Sequence, residues 1–133
     1  MSSTDSRDPL AAAPSELDGI RVLIVEDSWD VGTGLKMLLE TWGAETVGPV
    51  ATMDDARCLV SECTPDVALV DINLRNGEQS YGLIDWLHER GIRIIVISGY
   101  PDVSLANGKA SAILPKPVRH DLLLANLLSL RER

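Results

Sequence analysis

Four short runs of β-branched and aliphatic residues each end in a reactive side chain, and that repetition narrows the folds open to the chain. Arg21-Val22-Leu23-Ile24-Val25 leads into Glu26-Asp27, and Val67-Ala68-Leu69-Val70 leads into Asp71. Arg93-Ile94-Ile95-Val96-Ile97 leads into Ser98-Gly99-Tyr100, and Ala112-Ile113-Leu114 into Pro115-Lys116-Pro117. Runs this apolar read as strands buried on both faces, the condition of a parallel sheet covered by helices. In an open sheet of that kind, ligands bind in the crevice at the carboxyl ends of the strands. An acid pair, an acid, a hydroxyl and a lysine therefore converge on one candidate site.

Between the runs the apolar period changes. Val31, Leu35, Leu38, Leu39 and Trp42 recur at helical spacing, and Gly43 stops that helix. A short strand around Glu45–Val47 ends at Gly48-Pro49. Thr52 with Asp55 resembles a capping box and opens a helix carrying Ala56, Leu59, Val60 and Cys63 on one face. Pro65 breaks the chain before the next strand. A loop over Asn73–Gln79 leads to a helix at Tyr81–Glu89, closed by Gly91. The polar stretch Asp102–Lys109 has room for only a short helix, and a last helix is expected from about Arg119 to Leu130. Strand and helix alternate five times, which predicts an α/β fold with a doubly wound, five-stranded parallel sheet and right-handed crossovers. Residues 1–18, rich in Ser, Asp, Ala and Pro, show no apolar period and read as a flexible N-terminal arm. Residues 19–133 read as the domain.

Charge and composition remove several function classes. The chain has 133 residues, enough for one domain with a real core. Its 20 acidic and 12 basic side chains leave a net charge of −8, a field that repels nucleic acid and anionic membrane. No apolar run approaches the roughly 18 residues of a membrane span, and a cytoplasmic location is expected. Cys58 and Cys63 match no zinc pattern and read as reduced, buried or half-buried thiols. His88 and His120 each lack a second ligand nearby in sequence. Trp29 either lines the rim of the site or is an exposed first-turn residue. On the last helix Leu123, Leu127 and Leu130 form a stripe that Leu124 and Leu128 widen. That arc fits either a deeply seated helix or a partner surface, such as a weak dimer contact.

The residue types at the strand ends suit phosphoryl transfer. A carboxylate such as Asp71 can attack phosphorus and form an acyl phosphate. The negative charge of the transferring group must be neutralised and the reacting atoms held in line. Mg²⁺ does this when held by one or two carboxylates, and Asp27 and Asp71 are candidates, with Glu26 holding a metal-bound water. Lys116 offers a compact positive charge, and Ser98 a hydroxyl within reach of a phosphoryl oxygen. Pro117 restricts Lys116 and makes Lys116-Pro117 a cis-peptide candidate.

Val-Leu-Ile-Val-Glu-Asp-Ser, Val-Asp-Ile-Asn-Leu, Ile-Ser-Gly-Tyr and Pro-Lys-Pro resemble the four signature blocks of the receiver domain of two-component response regulators. The resemblance covers Ile20 to Leu130. It implies the flavodoxin-like (βα)5 fold with strand order 2-1-3-4-5, and a switch rather than an enzyme acting on separate substrates. It implies that Asp71 accepts a phosphoryl group from a sensor histidine kinase or a histidine phosphotransfer protein. Asp27, Asp71 and the backbone carbonyl of Asn73 would bind Mg²⁺, with Glu26 assisting through water. Ser98 and Lys116 would read the phosphorylated state for a downstream protein target. Two departures stand out. Ile113 occupies the position where receivers usually carry an aromatic ring, and the segment between Ser98 and Lys116 is short. Tyr100 is then the candidate aromatic switch, with a plain polar-rim residue as the alternative. Both departures resemble a stand-alone receiver subgroup with a Phe-Ala-Thr-Gly-Tyr-like motif, typically paired with HWE-type kinases. Two other readings remain: a haloacid-dehalogenase-type phosphatase, which needs a second Asp where this chain has Asn73, and a degenerate receiver serving as a binding scaffold.

Overall fold

The computed structural model describes residues 16–74, 79–99 and 108–131. Its elements run β1 (Arg21–Val25), α1 (Trp29–Thr41), β2 (Glu45–Val50), α2 (Met53–Glu62), β3 (Val67–Asp71), α3 (Tyr81–Glu89), β4 (Arg93–Ser98), β5 (Ala112–Pro115) and α4 (His120–Arg131). All five strands pair in parallel in the order β2-β1-β3-β4-β5. The expected polar stretch Asp102–Lys109 lies mostly outside the described residues.

The period of two along each strand sorts the core into two layers. Leu23, Val25, Ala68, Val70, Ile94 and Val96 face α2 and α3, where Ala56, Val60, Leu83, Ile84 and Leu87 meet them. Val22, Ile24, Leu69, Ile95 and Ile97 face the other way, toward Leu35 and Leu39 of α1 and Leu123 and Leu127 of α4. Every residue of β3 is buried, as expected for a central strand. On α4, Leu123, Leu127 and Leu130 are buried, while Leu122, Leu124 and Leu128 are half-buried against the same layer. The helix is thus seated along most of its leucine arc.

Local chemistry sets the boundaries. The Ser28 hydroxyl accepts from the Val31 N–H at the start of α1, and Gly43, at φ +94°, ends the turn that follows it. The Thr52 hydroxyl accepts from the Asp55 N–H at the start of α2. Two details depart from the sequence pattern. Val31 is 44% exposed, although it shares the helical spacing of the buried Leu35 and Leu39. Cys58 is exposed rather than buried, on the outer face of α2.

β2 also runs further than expected, through Gly48-Pro49 to Val50. A proline is tolerated there because β2 is an edge strand. The Gly48-Pro49 peptide is cis, and the β1–β2 register slips between Leu23 and Val25. Gly48 has φ +94°, and a Cβ there would stand 2.8 Å from the Ile24 carbonyl oxygen, so a side chain is doubly excluded. Gly32 plays a packing role: a Cβ on it would come within 2.8 Å of Pro49 Cβ. These close approaches bring Val50 to the end of β1, where its carbonyl accepts from the Glu26 N–H at 2.9 Å.

Leu17 corrects the boundary of the arm. It falls within the stretch read as flexible, yet its side chain is fully buried against the α1–α4 layer. Its N–H donates to the Trp42 carbonyl at 2.9 Å. A single leucine has no period, so pattern reading had nothing to detect. We expect Leu17→Ala to lower stability by about 2–4 kcal/mol, the usual cost of truncating a buried leucine. Thermal melts check this, and an unchanged melting temperature would mean that Leu17 does not pack in solution.

Candidate functional site

The end of β1 places Glu26 and Asp27, and the end of β3 places Asp71, because β1 and β3 are neighbours in register from Val22↔Val67 to Val25↔Val70. One oxygen from each of the three carboxylates lies within 4.8 Å of the other two. Glu26 and Asp71 are buried, and Asp27 is half-buried. β4 places Ser98 one residue beyond the partner of Asp71, and Ser98 is buried. β5 leads into Lys116, whose N–H donates to the Ser98 carbonyl at 2.9 Å. The Lys116-Pro117 peptide is cis.

Asp71 is held at both ends of its carboxylate. Oδ2 accepts from Lys116 Nζ at 2.9 Å, and Oδ1 accepts from the Asn73 N–H at 3.2 Å. Glu26 Oε2 accepts from the Ser28 N–H at 3.1 Å. Its other oxygen, Oε1, lies 3.7 Å from Lys116 Nζ, near enough for attraction between charges but too long for a hydrogen bond. Oε1 is buried and has no hydrogen-bond partner among the described residues.

This crowding shows in the proton affinities. Burial pushes the Glu26 carboxyl up to about 7; the Ser28 N–H and the Lys116 ammonium oppose the rise, and the Asp71 charge adds to it. Burial also works against the Lys116 ammonium, but the hydrogen bond and charge of Asp71, aided by Glu26 and Asp27, outweigh it and raise the Lys116 pKa.

A hard dication fits this donor set. Among the described residues three carboxylates face one ammonium, which leaves an excess of negative charge, and the buried Glu26 Oε1 has no donor. Mg²⁺ prefers this all-oxygen surrounding and keeps several waters, one of which Glu26 Oε1 is free to accept from.

Other expected residues lie elsewhere. Ile113 is half-buried on β5 and packs into the α2–α3 layer. Tyr100 lies outside the described residues. Trp29 is 72% exposed at the head of α1, and His88 and His120 are exposed. Ser80 was not apparent in the sequence. It is fully buried, and its hydroxyl donates to the Asp71 carbonyl at 2.7 Å. The one sequence signal was a serine preceding a helix, which ordinarily means a cap.

Comparison with known proteins gives this geometry a family context. The family model for the response regulator receiver domain matches residues 22–128. Among solved structures, the chain is similar to the signal receiver domain of a modulated diguanylate cyclase from Desulfovibrio desulfuricans G20. The identity is 28% and the TM-score 0.76, over 86% of this chain and 95% of that one. A CheY-like response regulator receiver domain from Methylobacillus flagellatus aligns at 26% identity and a TM-score of 0.75, over 86% of this chain and 98% of the other. The response regulator PhyR from Brucella abortus, at 24% identity and a TM-score of 0.73, is matched over 91% of this chain but 50% of its own length. That last likeness is one of fold alone. No curated protein gives a significant sequence match.

The raised Glu26 pKa has a measurable consequence. Between about 4.5 and about 7 the folded protein keeps a proton that the unfolded chain has lost, so metal-free stability falls as pH rises through that window. Glu26→Gln removes the titrating group. Its melting temperature in EDTA should fall less from pH 5 to about 7.5 than that of the wild type. Parallel curves for the two proteins would show that Glu26 titrates normally.

Proposed function

This chain belongs to the response regulator receiver domain family, and we propose that it is a phosphorylation switch that accepts a phosphoryl group on Asp71. The observation that carries this reading is the buried Asp71 carboxylate, held by Lys116 and Asn73 beside two further carboxylates. Receiver domains of this family accept phosphoryl groups, bind Mg²⁺ and act in signalling rather than in turnover of separate substrates. The assignment of each role to a residue of this chain is our own.

In the proposed reaction an Asp71 carboxylate oxygen attacks the phosphorus of a phosphohistidine. The O–P bond forms as the N–P bond breaks, and the imidazole leaves as a neutral group once protonated. Mg²⁺, held by the carboxylates of Asp27 and Asp71 and the Asn73 carbonyl, would neutralise charge on the phosphoryl oxygens. Glu26 would accept a hydrogen bond from a metal-bound water. Lys116 is already within hydrogen-bonding distance of Asp71 Oδ2 and would shift its ammonium to a phosphoryl oxygen. Ser98 would turn its hydroxyl toward the same group. Because the Lys116 N–H is bound to the Ser98 carbonyl, movement of either is passed to the other.

The donor would be a sensor histidine kinase, with the HWE type suggested by the Ile-Ser-Gly-Tyr motif, or a histidine phosphotransfer protein. A groove beside Lys116, lined by Val31, Leu35 and Leu38 of α1 and by Pro117 and Val118, opens where the donor must approach. Its apolar walls suit a helix of the donor. Output would pass to a protein target or along a relay, with Tyr100 as the aromatic part of the switch. Net charge of −8 disfavours nucleic acid and anionic membrane as partners. Among the described residues no helix is long and apolar enough to cross a membrane. A partner kinase that presents its phosphohistidine in the cytoplasm would put the protein there too.

With acetyl phosphate and Mg²⁺, intact-mass measurement should show one added phosphoryl group. The gain should vanish in Asp71→Asn and in the presence of EDTA. Equal labelling of Asp71→Asn would remove Asp71 as the acceptor. Steady hydrolysis of a generic phosphate ester would point instead to a phosphatase.

A further inference from the structure

Ser80 sits where a helix cap belongs and does not cap. It immediately precedes α3, with φ −89° and ψ 17°, and its side chain makes no capping hydrogen bond. Serine at such a position ordinarily accepts from an N–H of the first turn. Here the hydroxyl points back toward the sheet, donating to the Asp71 carbonyl at 2.7 Å, with the Ile72 carbonyl 3.3 Å away. The Ser80 N–H donates to the same Ile72 carbonyl at 2.9 Å. Asn73 and Gln79 form an isolated antiparallel bridge just above. The residues that leave β3 and those that enter α3 are therefore pinched together at the base of the intervening loop.

The consequence falls on Asp71 and Asn73. The carboxylate oxygens of Asp71 are held by Lys116 and by the Asn73 N–H, and its carbonyl is held by Ser80. The peptide that carries the Asn73 carbonyl starts two residues after that anchor. Its direction depends on how firmly the backbone at Asp71 and Ile72 is fixed. A fully buried hydroxyl that gives up a helix cap to hold this backbone breaks a local rule at the site itself, where such violations are expected to serve function.

We propose that Ser80 is a positioning residue for the cation: by clamping the main chain of Asp71 and Ile72, it aims the Asn73 carbonyl and the Asp71 carboxylate at one Mg²⁺. This rests on the reading of Asp27, Asp71 and Asn73 as the cation's ligands. Ser80 itself touches neither the metal nor the phosphoryl group. Partners that orient metal ligands typically change metal affinity by about 10–100-fold when removed.

The test is Mg²⁺ affinity measured by titration calorimetry on the full chain, with Mg²⁺ alone as the probe. Wild type is compared with Ser80→Ala, with Ser80→Cys and with Leu17→Ala. Leu17 lies in the core against α1 and α4, so its variant controls for lost stability without touching the site. Ser80→Cys keeps the side-chain shape at slightly larger volume while weakening the donor, and stands in if Ser80→Ala does not fold. Ser80→Ala should weaken Mg²⁺ binding by about tenfold or more, Ser80→Cys should weaken it in the same direction, and Leu17→Ala should leave it unchanged. Wild-type affinity in a folded Ser80 variant would overturn the proposal, as would an equal loss in Leu17→Ala. If the wild type binds no Mg²⁺ and takes no phosphoryl group, the ligand assignment itself falls, and this inference with it.

Discussion

Glu26, Asp27 and Asp71 crowd together at the carboxyl edge of a parallel sheet, and Lys116 is the ammonium that answers them. Like charges this close are unfavourable, and more so when two of the three groups are buried. The fold tolerates the arrangement because the strands beneath it are fixed by two apolar layers. The molecule relieves part of the repulsion by raising the proton affinity of Glu26 and by binding Asp71 to Lys116. What remains is an excess of negative charge that a divalent cation would neutralise, and an ion pair that would open if a phosphoryl group were placed on Asp71.

That tension links the fold to signalling. Lys116 is tied through its own N–H to the Ser98 carbonyl on the neighbouring strand and through its ammonium to Asp71, so the ends of β3, β4 and β5 are connected. A charge placed on Asp71 would draw both β4 and β5 ends toward it. The groove between α1 and the segment after Lys116 lies directly alongside, so a change at Asp71 would be felt at a surface open to partners. The ion pair is buried only on the Asp71 side, so it contributes little net stability, and in the proposed switch its value would lie in having two arrangements.

Much of this was legible in the sequence because the informative residues sit at the ends of apolar runs. Four strands announced themselves by composition, and the parallel sheet then required Glu26, Asp27, Asp71, Ser98 and Lys116 to meet at one edge. The less legible parts have physical causes. β2 continues through Gly48-Pro49, a pair that normally reads as a turn, because an edge strand can omit a ladder donor. Leu17 is one apolar residue in a polar stretch, and no period marks it. Ser80 looks like any helix-capping serine, and only the folded backbone shows its hydroxyl turned toward Asp71. Ile113 departs from the family pattern on β5, and it fills core space among aliphatic neighbours instead of supplying a ring.

In the proposed switch Asp71 would exchange its bond with Lys116 for a phosphoryl group, with Mg²⁺ held by the neighbouring carboxylates. A crystal structure with Mg²⁺ and beryllofluoride, a phosphoryl mimic that bonds to carboxylates, is the decisive measurement. Beryllofluoride should sit on Asp71, and Mg²⁺ on the carboxylates of Asp27 and Asp71 and the Asn73 carbonyl. Lys116 Nζ should have moved from Asp71 Oδ2 to a fluoride, with the Ser98 hydroxyl turned toward the same group. An intact Lys116–Asp71 bond with the ligand bound elsewhere, or a metal that bypasses Asp27, would contradict the proposed switch.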